Sequence, residues 1–100
     1  MATQTVWGVV NSNGTAQSGS GFTVQYAGTG QYSITFDNAF SDIPSIVGSQ
    51  VLFGSLNENT MDTVVFPQLT SKLATALTGE ASGKHQDRNF SFIAIGFVNA

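Results

Sequence analysis

Gly19-Ser-Gly-Phe-Thr-Val-Gln-Tyr-Ala-Gly-Thr-Gly-Gln-Tyr-Ser-Ile-Thr-Phe36 holds two short alternating runs, Phe22–Tyr26 and Tyr32–Phe36, joined by Ala27-Gly-Thr-Gly-Gln31. Phe22, Val24 and Tyr26 share one face of the first run, with Thr23 and Gln25 on the other. Tyr32, Ile34 and Phe36 likewise oppose Ser33 and Thr35 in the second. A period of two with aromatic and β-branched residues on one side marks a half-buried strand. The glycines of the linker can take the positive φ values of a tight reversal. The stretch predicts a β-hairpin, and the hairpin sets the fold class.

The remaining segments follow the same period. Gln4 to Val10 reads as a strand with Val6, Gly8 and Val10 on one face and Trp7 and Val9 on the other. Apolar groups on both faces point to a central position or to a face covered by another subunit. Asn13-Gly14 is a turn pair, and Thr15 to Ser20 is either a loop or a weak edge strand. Asp37 to Pro44 has turn chemistry, with Asp37 and Asp42 as turn formers and Phe40 as a plug beneath. Ser45 to Phe53 is the next strand, in which Gly48 marks a bulge or a close approach. Thr60 to Phe66 alternates again, with Asp62 on a strand face turned to water or to a subunit seam, and Pro67 is expected to bend or end it. Leu69 to Thr78 fits both a helix (Leu69, Leu73, Leu77) and a strand (Leu73, Thr75, Leu77); the threonines and the all-β company favour strand. Gly79 to Asn89 is the longest polar loop, and Phe90 to Val98 is the most apolar and central strand. Seven or eight short strands at regular spacing predict one domain over residues 1–100, an all-β antiparallel two-sheet sandwich of jelly-roll type.

Composition narrows the function. The apolar fraction of 41% suffices for a core, whereas the charged fraction is only 9%, against roughly 25% in ordinary soluble domains. The surface is therefore built from Ser, Thr, Asn, Gln and Gly, which suits extracellular or virion-associated modules, sugar recognition or self-association. With Lys72, Lys84 and Arg88 as the only basic residues and a net charge of −3, nucleic acid is not an expected partner. There is no cysteine, hence no thiolate chemistry. The first residues lack a signal peptide's basic and apolar regions, and no apolar run approaches the ~20 residues of a membrane helix, so membrane insertion is not expected.

Chemistry-bearing residues are few. The single histidine, His85, lies beside Asp87 and Arg88 in Gly83–Asn89. One imidazole falls short of a metal's three or four ligands, and no Gly-x-Ser-x-Gly elbow accompanies the serines. The six carboxylates show no marked pair of the kind that glycoside hydrolysis needs. Neither an enzyme nor a cofactor is expected. The candidate ligand-binding residues are Asn57, Glu58, Asn59, His85, Asp87 and Arg88 in polar loops. Trp7 is either a partly buried core or subunit-interface residue or a stacking face for a sugar ring.

Val9-Val-Asn-Ser-Asn-Gly-Thr15, Gly19-Ser-Gly-Phe-Thr-Val24, Gly30-Gln-Tyr-Ser-Ile-Thr-Phe36, Phe40-Ser-Asp-Ile-Pro44 and Phe90-Ser-Phe-Ile-Ala-Ile-Gly96 together resemble C-terminal modules of phage tail fibres and collagen-like bacterial surface proteins. Ile34 to Pro44 is also similar to a strand and loop of H-type lectins. The resemblance covers about half of the chain, mostly in turn and core residues. It implies an antiparallel sandwich assembling as a homotrimer, with receptor or glycan binding at distal loops or subunit seams. The alternative is a purely structural trimerisation, fibre-tip or decoration role.

Overall fold

The computed structural model of the chain describes residues 1–54, 56 and 58–99. Its eight strands are β1 (Ala2–Val10), β2 (Ala16–Ser20), β3 (Phe22–Gly28), β4 (Gln31–Phe36), β5 (Ser45–Gln50), β6 (Thr63–Leu69), β7 (Leu73–Gly79) and β8 (Phe90–Val98). They form two four-stranded antiparallel sheets, β2-β1-β8-β5 (sheet I) and β3-β4-β7-β6 (sheet II). The two sheets pack face to face as a sandwich, and no helix occurs among the described residues.

The opening hairpin forms as its alternation requires. Phe22 pairs with Phe36, Val24 with Ile34 and Tyr26 with Tyr32, so the apolar residues of both strands point the same way, into the sandwich. They meet Val6, Val10, Phe90, Phe92 and Ala94 of sheet I. Phe22 stands edge-on to Phe92 at 5.0 Å, and Tyr32 lies 5.1 Å from Phe90. Phe40 is the expected plug, buried and edge-on to Phe36 at 5.0 Å.

Several boundaries differ from the sequence reading. Thr15 to Ser20 resolves as edge strand β2, and β5 stops at Gln50, where the Val51 N–H turns to the Asn89 carbonyl at 3.1 Å. Pro67 does not end its strand but lies at a bulge in it. It sits inside β6, an edge strand, where the register with β7 shifts between Val65 and Gln68. A proline lacks the ladder N–H, so an edge bulge is where a sheet tolerates one. The favoured strand reading of 69–78 holds from Leu73 onward, in β7, whereas Leu69 closes β6 and residues 70–72 turn between them. Gly48 marks a close approach, since a Cβ there would lie 2.8 Å from Phe66 Cζ. Asp42 caps its own turn through the Ile43 N–H at 2.7 Å, whereas Asp37 is held through its backbone N–H to the Gly21 carbonyl.

Topology also sorts the ends of the sandwich. β1 and β8 pair from Ala2↔Val98 to Val10↔Phe90, so both terminal strand ends lie at one pole of the 45 × 24 × 21 Å molecule. The β1–β2, β3–β4, β5–β6 and β7–β8 connections lie at the other, the far pole. Every charged side chain of the described residues lies outside the strands. Charge is confined to the poles, and the two sheet faces are neutral.

Candidate functional site

The far pole gathers Glu58, Asn59, His85, Asp87 and Arg88, the loop residues singled out from sequence; Asn57 lies outside the described residues. Most of these side chains are engaged within the chain. Arg88 Nη1 donates to Glu58 Oε2 at 2.9 Å and to Asp62 Oδ2 at 3.0 Å, tying the β5–β6 connection to the β7–β8 loop. Asp62 is therefore not on a strand face at all. It precedes β6, with only 5% of its side chain exposed, and Arg88 supplies the countercharge that such burial requires. Asp87 Oδ1 accepts from the Gly30 N–H at 2.7 Å, and its carboxylate takes the Tyr26 hydroxyl at 3.1 Å. Asn59 Oδ1 accepts from the Met61 N–H at 2.9 Å. His85 is exposed, and its backbone bridges to Gly79.

Residues 83–87 of the β7–β8 loop are exposed, and hydrogen bonds nonetheless pin its backbone. Thr78 Oγ1 donates to the Gln86 carbonyl at 2.7 Å, and Gln50 Nε2 reaches the Thr63 and Gly79 carbonyls at 2.7 and 2.6 Å. Ser12, Gln50, Asp87, Arg88 and Asn89 rim a depression of about 80 Å³. At ~30 Å³ per water, it has room for two or three hydroxyl-sized groups. Sequence reasoning missed Ser12, Gln50 and Asn89, because their meeting depends on the pairing of distant strands.

Protonation follows from these contacts. Desolvation opposes ionisation of Asp62, yet the hydrogen bond from Arg88, that from the Asn59 N–H and the Arg88 charge outweigh it and hold the carboxyl below its ordinary 3.8. Desolvation, then the nearby Asp87 carboxylate, raises Tyr26 above 10.0. A carboxyl lowered by folding stabilises the fold at neutral pH, and that contribution disappears as pH falls through the folded value. Acid unfolding is accordingly expected to steepen below about pH 4, and Asp62→Asn should flatten that limb in chemical-denaturation midpoints taken between neutral pH and strong acid.

Trp7 does not join the pole. It lies part-way along β1 on the outer face of sheet I, 46% exposed. Across the sheet it pairs with Ile93, which pairs with Val47. Ile95 and Phe97 continue outward along β8, and all four of these neighbours are exposed. Trp7, Val9, Val47 and Ile93 wall a groove of about 390 Å³ over Ser91, a volume within the range of ligand and interface sites. Among the described residues, none of the four strands of this sheet carries a charge. The outer face of sheet II is mixed, bearing Thr23, Gln25, Ser33, Thr35 and Thr75 in register beside half-buried Leu73 and Leu77 and exposed Val65. The apolar alternation on both faces of β1 and β8 was the sequence signal for this surface; Val47 carried none.

Comparison with family models, with curated proteins and with solved structures returns no match to this chain. Its function is therefore argued from these surfaces.

Proposed function

We propose that the protein is a non-catalytic, self-assembling β-sandwich module, homotrimeric as the resemblance to fibre and surface-protein modules implies. Its role is structural: trimerisation, fibre-tip presentation or decoration outside a cell or on a virion. The observation that carries this reading is the uncharged apolar outer face of sheet I, which leaves five large side chains from Trp7 to Phe97 in water in a single chain. Contiguous apolar surface of this kind marks an interaction site in soluble proteins. Sedimentation equilibrium at micromolar concentration is expected to give three times the chain mass, and a monomer would overturn the reading.

A second reading, receptor or carbohydrate binding, draws on the Trp7 groove, where an indole face stands beside the Ser49 and Ser91 positions. A pyranose can lay its apolar face on an indole while hydroxyls bond at the rim. The pole supports that reading less, since Asp87, Arg88 and Asn59 already have partners in the chain. Calorimetric titration with neutral sugars distinguishes the two: heat that disappears in Trp7→Ala supports binding, and silence at millimolar sugar removes it.

A further inference from the structure

We infer that the outer face of sheet I closes on further copies of this chain about a rotation axis parallel to its strands, so that Trp7 of one copy packs on Val47 of the next. The inference rests on the self-assembly reading and adds its geometry.

Register decides the direction of the axis. Three successive rows cross the outer face: Ser18, Val9, Ser91 and Ser49; Ser20, Trp7, Ile93 and Val47; Thr5, Ile95 and Ser45. Below them Phe97 stands beside Thr3. An axis running along β8 keeps every row at its own height. Ile93 and Ile95 then meet their own counterparts at the centre. The β1 side of one copy faces the β5 side of its neighbour, which sets Trp7 against Val47. Apolar groups then meet apolar groups across the Trp7 row and at Ile95, and only Val9 is set against a hydroxyl, that of Ser49.

A two-fold axis running across the strands does the opposite. It lays β1 on β1: centred on the Trp7 row it sets Ile95 over Ser91, and centred on the Thr5 row it sets Thr5 over its own counterpart and Trp7 over Thr3. The large side chains would then bury hydroxyls without partners.

Two further features name a second copy as the occupant. A rotation axis brings identical residues together, so any charge on the face would meet its like; the face has none. Its extent is of the order required: strands of nine, five, nine and six residues at ~3.4 Å per residue and ~4.8 Å spacing give roughly 470 Å² in projection, which side-chain relief increases, against the ~800 Å² per partner of a standard interface. One consequence is functional. Copies arranged in this way present their far poles side by side, so weak contacts there would act together.

The chain has no cysteine, which makes cross-linking a clean test. Thr5 and Ser45 flank Ile95 on opposite sides, so within one chain they are two strand spacings apart, ~9.6 Å, beyond the ~7 Å reach of a disulfide. The double variant Thr5→Cys with Ser45→Cys is expected to give covalent dimers and trimers on oxidation, and neither single variant to give any. Ile93→Lys, whose side chain points outward, is expected to yield a folded monomer by sedimentation with unchanged far-ultraviolet dichroism. Links from Thr5→Cys alone would overturn the inference in favour of the crossed two-fold. A wild-type trimer without links in the double variant, or an Ile93→Lys trimer, would overturn it while leaving self-assembly standing. A wild-type monomer would overturn both.

Discussion

Phe92→Ala is expected to lower the free energy of unfolding by about 3–5 kcal/mol, measured from urea transitions. Phe92 is 2% exposed, stands edge-on to Phe22 and lies on the inward side of β8, the strand paired on both edges. Removing the ring leaves a cavity that two sheets held by their ladders cannot close. Against a total of roughly 5–15 kcal/mol for a domain, this loss puts folding itself at risk. Phe97 is the internal control. It is on the same strand but faces outward and is 57% exposed, so Phe97→Ala is expected to change the stability of the dissociated chain by less than ~1 kcal/mol while weakening association. Equal losses for both variants in a monomeric background would contradict the assignment of inner and outer faces.

That contrast also explains what the sequence made legible. The alternation of Phe22 to Phe36 was readable because strand period and turn glycines are local properties, and the pairing Phe22↔Phe36 follows from them directly. The division of the strands between sheets was not readable. β1 joins β8, and β8 joins β5, through hydrogen bonds between residues far apart in sequence, and nothing local encodes that choice. Trp7 is readable as a strand residue, but its separation from the polar loops is not, since strand pairing carries it to the flank of the sandwich. Asp62 was misplaced for the same reason. Its environment is made by Arg88, which arrives from another loop and converts a residue expected to face water or a seam into a nearly buried ion-pair partner. Of the two outcomes expected at Pro67, the strand bulges there and does not end, because β6 is an edge that tolerates a missing ladder N–H.

Gly30→Ala should be the most damaging change of a single methyl group at the far pole, costing about 2–5 kcal/mol from left-handed backbone strain and overpacking together. Gly30 has φ +68°, a conformation disfavoured for any side chain with a Cβ. An added Cβ would also lie 2.5 Å from the Thr78 carbonyl oxygen and 3.0 Å from the Gln86 nitrogen. Neither neighbour is free to retreat. Gly30 donates its N–H to Asp87 at 2.7 Å and accepts the Thr78 N–H at 2.7 Å, while the Thr78 hydroxyl holds the Gln86 carbonyl. The strain would therefore spread from the β3–β4 turn into the β7–β8 loop, loosening the segment that carries Asp87 and Arg88. Amide hydrogen exchange would read this as lost protection at Gly30, Thr78 and Gln86 ahead of the core strands. Gly28 offers the comparison. It too has a positive φ, +141°, but no atom lies within 4 Å of its would-be Cβ, so Gly28→Ala should show the backbone cost alone. If the two substitutions destabilise equally, the tight approach of Gly30 to the β7–β8 loop does not exist in solution, and the pinned pole built on it fails with it.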